Sequence, residues 1–168
     1  MAIDKENAHE NASRLVPEDF FWNCSDELAP FGSDEGDTGL HEYREWRDRY
    51  PKSPLLDCLK WTVEGVGEIS FAEYNQSLTD KELIRQQIQD PEFDDGQYIF
   101  TLDVSVLSTV FGQLVDEGHI DVAAKPIAEI AIERQRNWAE AQKDWTHGDQ
   151  YLKNLSVLLR VLKNSDSK

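Results

Sequence analysis

Residues 103 to 118 read Asp103-Val104-Ser105-Val106-Leu107-Ser108-Thr109-Val110-Phe111-Gly112-Gln113-Leu114-Val115-Asp116-Glu117-Gly118. Val106, Leu107, Val110, Phe111, Leu114 and Val115 recur at three- and four-residue spacing, the period of one helical face, in a segment that is strongly apolar throughout. This pattern predicts a buried central helix that begins at Asp103 and stops at Gly118. A helix of this kind needs other helices around it.

On the C-terminal side, residues 121 to 143 carry Ile127, Ile130, Ala131 and Trp138 in helical spacing, with Pro126 near enough to the start to be tolerated. Residues 149 to 163 place Leu152, Leu155, Leu158, Leu159 and Leu162 on one side of a last helix. On the N-terminal side, Thr79-Asp80-Lys81-Glu82 has the form of a capping box and opens a helix over about 80 to 89, ended by Pro91. Ser53-Pro54 opens another, with Leu55, Leu56, Leu59 and Val63 as its stripe and Gly65 near its end. Leu40, Tyr43, Trp46 and Tyr50 mark a helix over about 37 to 50. Pro17-Glu18-Asp19 is a helix opening whose element should stop before Pro30. The stretches 65 to 77 and 98 to 102 are compatible with short strands.

The expected fold is therefore all-α, an irregular multi-helix bundle with room for one short strand pair. Its organisation is a polar tail or peripheral helix over 1–14, a single helical domain over 15–164 and a disordered tail over 165–168. A length of 168 residues suits one domain, and a 39% hydrophobic fraction with five Trp, seven Phe and five Tyr supplies a core. No internal repeat or Gly/Ser linker divides it. No apolar run approaches the ~18 to 20 residues of a membrane helix, and the polar, acidic start lacks a signal-peptide pattern. With Cys24 and Cys58 as the two cysteines and no CxxC, reduced thiols in a cytoplasm are expected.

The net charge of −16 is unevenly placed. Between Arg14 and Arg44 lie Glu18, Asp19, Asp26, Glu27, Asp34, Glu35, Asp37 and Glu42 with no base. Between Arg85 and Lys125 lie Asp90, Glu92, Asp94, Asp95, Asp103, Asp116, Glu117 and Asp121, again with none. These sixteen acids equal the whole excess, because the other seventeen match the 17 Lys and Arg. Like charge concentrated in this way attracts a basic partner and repels nucleic acid and anionic membrane. The plainer reading is that acids near helix starts serve as caps and keep the chain in solution.

Signatures of catalysis are missing. No GxSxG, GxGxxG or GxxxxGK[ST] occurs, and neither cysteine has a recognisable catalytic context, so no enzyme activity and no cofactor are expected. The best enzyme-like alternative is a divalent metal at Asp34, Glu35 and Asp37 with His41 one turn on, against the plainer view of helix capping. His9, His119 and His147 are isolated. Phe20, Phe21, Trp22, Phe31, Tyr43 and Trp46 are mostly core candidates, although Trp22 and Phe31 adjoin the acidic run and are candidate interface anchors.

Phe20-Phe21-Trp22 followed by Asp26-Glu27-Leu28-Ala29-Pro30-Phe31-Gly32-Ser33-Asp34-Glu35-Gly36 resembles a segment of uncharacterised YfeS-like bacterial proteins. Residues 31 to 40 also resemble the opening of small helical bacterial proteins of the DUF4259 type. The likeness covers mainly residues 17 to 60 and implies a bacterial origin and a helical fold, with no activity or catalytic residue to transfer. It fits an acidic cytosolic immunity protein that neutralises a basic toxin, since nucleases are frequently basic in order to hold phosphate. The expected partner-binding residues are Trp22, Asp26, Glu27, Phe31, Asp34, Glu35, Asp37, Asp94, Asp95, Asp116 and Glu117, on two acidic faces over residues 18–42 and 90–121. A metal-dependent enzyme or a regulatory scaffold for another basic surface is the alternative.

Overall fold

In a computed structural model that describes residues 3 to 167, the chain is all-α, with seven α-helices and no strand among the described residues. They are α1 (Glu10–Leu15), α2 (Asp34–Arg49), α3 (Leu55–Gly67), α4 (Lys81–Gln89), α5 (Leu102–Glu117), α6 (Lys125–Ala141) and α7 (Gly148–Asn164). The expected bundle is present, and α5 is its axis: every residue from Leu102 to Val115 is buried. Helices α1, α2, α3 and α6 all pack on α5, while α7 packs on α6. Gly118 ends α5 at φ +80°, a left-handed conformation that glycine adopts without steric cost. The His9 ring lies where a Cβ on Gly118 would stand, and the Asn11 amide donates to the Gly118 carbonyl at 3.0 Å, which docks α1 onto the end of α5.

Counted with the turn before it, Gly96–Glu117 is long and apolar enough to cross a membrane by length and composition, unlike the shorter apolar runs read from the sequence. Within the fold, 83% of its most apolar window is buried, the setting of a core helix. Helix α2 crosses α5 in close contact. A Cβ on Gly39 would lie 2.1 Å from Ser108 Oγ and 3.3 Å from Ser105 Cα, so the two backbones approach as nearly as glycine permits.

Three expectations need correction. Residues 98 to 101 belong to a wide π-helical turn, Gly96–Thr101, and Leu102 begins α5 directly after it. Side chains of α6 claim its carbonyls: Arg134 Nη2 donates to Tyr98 O at 2.8 Å and Gln135 Nε2 to Ile99 O at 3.2 Å. Residues 65 to 77 finish α3 and then form 3-10 turns at Phe71–Glu73 and Gln76–Thr79; with no second strand to pair with, an extended segment would leave its backbone polar groups unmet. Pro17 opens only the 3-10 turn Asp19–Trp22, because Asn23 and Asp26 bond forward to the Ser25 and Leu28 amides at 2.9 Å, in competition with a helix. Of the residues expected to form a polar tail or peripheral helix over 1–14, those from Glu10 onward lie in α1, and both ends pack on the fold. Ile3 and Ala12 are buried, Ser165 is buried, and the Asp166 carbonyl accepts from the Ile120 amide at 3.0 Å.

One charged pair lies in the centre. Asp103 of α5 is 0% exposed and meets Arg134 of α6, 2% exposed, through Nε at 2.9 Å and Nη2 at 2.8 Å. The same carboxylate accepts from Tyr74 Oη at 2.6 Å and Gln135 Nε2 at 2.9 Å, and Tyr151 of α7 donates to Gln135 Oε1 at 2.6 Å. Burial tends to lower the Arg134 pKa, but the Asp103 charge outweighs it and holds the guanidinium above its usual range. Burial first, then the Asp103 charge, drives the Tyr74 phenol well above its ordinary value. Four donors on two oxygens leave this anion satisfied without water. Removing one partner therefore leaves an uncompensated charge: Arg134→Met is expected to cost about 3–5 kcal/mol in urea unfolding, more than a surface change such as Arg85→Met.

Candidate functional site

A recess lies between α2 and α3, and its construction begins at Arg47. Arg47 Nε donates to Glu117 at 2.8 Å, its Nη1 donates to the carbonyls of Tyr50 at 3.0 Å and Ser53 at 2.8 Å, and its guanidinium lies 4.8 Å from the Trp46 ring centroid. One side chain thus ties the end of α2, the turn into α3 and the end of α5 together. Tyr43 adds a 2.5 Å bond to Glu117; burial above all, then that carboxylate, raises its phenol. Trp46 and Tyr50 stand with ring centroids 6.0 Å apart.

Above this frame is a groove of about 620 Å³ lined by Glu42, Glu45, Trp46, Arg49, Tyr50, Ser53, Asp57 and Trp61. Through Glu42 it meets a shallower recess of about 360 Å³ that reaches Asp34 and Glu35 at the start of α2. Along both, five carboxylates (Asp34, Glu35, Glu42, Glu45 and Asp57) face one base, Arg49. Tyr50 and Trp61 are each 52% exposed, whereas the other aromatic side chains among the described residues are more covered. Exposed aromatic rings beside carboxylates suit a positively charged ligand surface.

The residues expected at a partner interface do not converge. Asp34 and Glu35 line the shallower recess beside the groove; Asp37 is exposed on the same first turn, where the helix dipole favours all three acids. Glu27 is exposed elsewhere, beside a narrow crevice with Tyr151 and Leu155. Phe31 is 3% exposed and stacks edge-on against Phe21 at 5.3 Å, so it belongs to the core and cannot anchor an interface. Trp22 is half-buried, with its indole donating to Val16 O at 2.9 Å. Asp26 and Asp94 cap local turns, and Asp95 accepts from Trp138 Nε1 at 3.0 Å.

Much of the second acidic window is bound within the fold. Asp103 holds Arg134, Asp116 makes a two-point pair with Arg44 at 2.9 Å, Glu117 holds Arg47, and Asp121 accepts from the first amide of α3, Leu55 N, at 2.8 Å. The Asp116 hydrogen bond raises the Arg44 pKa against its partial burial. The face expected over residues 90–121 is thus largely internal wiring. The proposed metal set is not assembled either: Asp34 and Glu35 line the α2–α3 side, whereas His41 lines a different hollow and lies 3.5 Å from Glu45. Among the described residues no group of three or more His, Cys, Asp or Glu is placed to hold a metal ion.

Sequence reading missed Trp61, Tyr50, Glu45 and Asp57. The signal was available for Trp61: with Leu55, Leu59 and Val63 facing inward on α3, position 61 turns about 200° from Leu59 and must face outward. Comparison with known protein families, curated proteins and solved structures finds no match for this chain.

Beneath the groove, α3 buries Cys58, whose thiol burial pushes up to about 12, partly offset by a bond with Thr62. Cys24 is exposed. Alkylation at pH 8 is expected to modify one thiol quickly in the native protein and a second only on unfolding, because the thiolate is the nucleophile; two fast thiols in native protein would contradict this packing. Replacing Arg47 with Lys, which cannot bridge Glu117 and two carbonyls, should lower stability by about 1–3 kcal/mol in thermal or urea melts.

Proposed function

We propose that this protein is an acidic immunity-type inhibitor that binds and neutralises a basic protein toxin, a nuclease being the favoured class, and acts by binding rather than by catalysis. The observation that carries the reading is the α2–α3 groove, where Glu42, Glu45 and Asp57 and one base, Arg49, surround Trp46, Tyr50 and Trp61, with Asp34 and Glu35 in the adjoining recess. Such a surface speeds encounter with a basic partner through its field and offers aromatic contact area once desolvated. A nuclease must hold phosphate with Lys and Arg, so an acidic face can occupy its nucleic-acid cleft in competition with substrate.

The charge distribution supports the same reading. Many carboxylates of the two acidic windows are consumed by folding, while those on α2 and α3 remain at the surface around exposed aromatics. Maintaining like charge along one groove opposes compaction, so a binding role explains what stability does not require. The resemblance of residues 17 to 60 to bacterial helical proteins fits this setting, as does a cytoplasmic site of action.

Co-purification of the tagged protein from its own cells at low salt, with bound chains identified by mass spectrometry, is expected to recover a basic toxin fragment in equal proportion. Recovery of no basic protein would count against the reading. With the partner in hand, the triple change Glu42→Gln, Glu45→Gln and Asp57→Asn should slow association roughly tenfold at low salt, and added salt should shrink that difference.

A further inference from the structure

Two arginines of this chain share one mode of binding. Arg47 lies over the Trp46 ring at 4.8 Å and bonds Glu117; Arg134 lies over the Tyr74 ring at 5.6 Å and bonds Asp103. In each, an aromatic face receives the flat, weakly hydrated guanidinium while a carboxylate takes its N–H groups. The α2–α3 groove repeats these components toward solvent: the half-exposed rings of Tyr50 and Trp61, with Glu42, Glu45 and Asp57 in the same lining. Its volume of about 620 Å³ exceeds one side chain and suits a short segment of chain.

We propose that the groove is an arginine receptor: it takes an arginine-bearing segment of the basic partner, the guanidinium lying on the Trp61 and Tyr50 faces and paired with Glu42, Glu45 or Asp57. This rests on the reading above, which supplies a basic protein as the occupant, and adds to it a preference for arginine over lysine. Lysine carries the same charge but a compact, strongly hydrated ammonium that neither stacks on a ring nor bonds a carboxylate in two places. Arg49, the one base in the lining, opposes an incoming cation and sets a limit on affinity.

The test uses the full-length protein, isotope-labelled, titrated at low salt with blocked hexa-arginine and hexa-lysine peptides. The Trp61 indole N–H signal is assigned by its loss in Trp61→Phe. Hexa-arginine is expected to shift that signal and to bind roughly two- to fivefold more tightly than hexa-lysine, the range of an exposed cation–π contact. Trp61→Ala, at a half-exposed position and checked for an unchanged helical spectrum, should abolish the preference, and Arg49→Ala should tighten both peptides. Equal binding of the two peptides, retention of the preference in Trp61→Ala, or shifts confined to other parts of the molecule would overturn the proposal. Those failures leave the toxin reading intact if a basic toxin co-purifies. An arginine preference centred on Trp61 with no toxin recovered upholds the receptor and sinks the immunity reading.

Discussion

The buried pair between Asp103 and Arg134 is the constraint around which the remaining helices are set. A carboxylate with no exposure must find all its hydrogen bonds inside the protein, and here they come from Tyr74, Arg134 and Gln135. The pair fixes the register of α5 against α6, and Tyr151 extends the network into α7. It also explains the π-helical turn before α5, whose carbonyls at Tyr98 and Ile99 serve Arg134 and Gln135. An apolar pair of equal volume could match or exceed its stability; what the network adds is directional bonds that a shifted register of α5 against α6 would break.

What could be read in advance followed from local periodicity. The stripe from Val106 to Val115, the stop at Gly118 and the leucines of α7 are local signals, and the helices formed where these signals lay. Charge was harder to read because ion pairing depends on distant positions. Arg44 and Arg47 neutralise acids 72 and 70 residues away, so the windows that look uniformly acidic along the chain are partly balanced in space. Asn23 and Asp26 defeated the Pro17 helix through side-chain bonds that spacing alone does not reveal. At the site, Asp34 and Glu35 were legible as surface acids on α2. The aromatic half was not, because Trp61 gains meaning only when α3 is oriented by its buried face and brought beside Tyr50.

The groove and the core are thus built from different carboxylates. Asp103, Asp116, Glu117 and Asp121 hold helices together, through Arg134, Arg44, Arg47 and the α3 N-terminus respectively. Glu42, Glu45 and Asp57 stand around exposed rings. Arg47 joins the two sets, since it bonds Glu117 on one side and shapes the turn that presents Tyr50 on the other. Changes in the internal set should be felt first as stability, whereas the external set makes no such bond between helices among the described residues and, under the proposed function, serves binding.

The close crossing at Gly39 separates what can drift from what cannot. A side chain at position 39 would overlap the Ser108 hydroxyl and press on the backbone at Ser105, so this point of α2 favours glycine. About one to three turns further along the same helix, positions 42, 45 and 49 line the groove. A lineage could rewrite those positions, together with 57 and 61 on α3, and keep the same scaffold. If the groove is the binding face proposed above, the anchored crossing leaves that face free to follow a changing partner while the fold stands still.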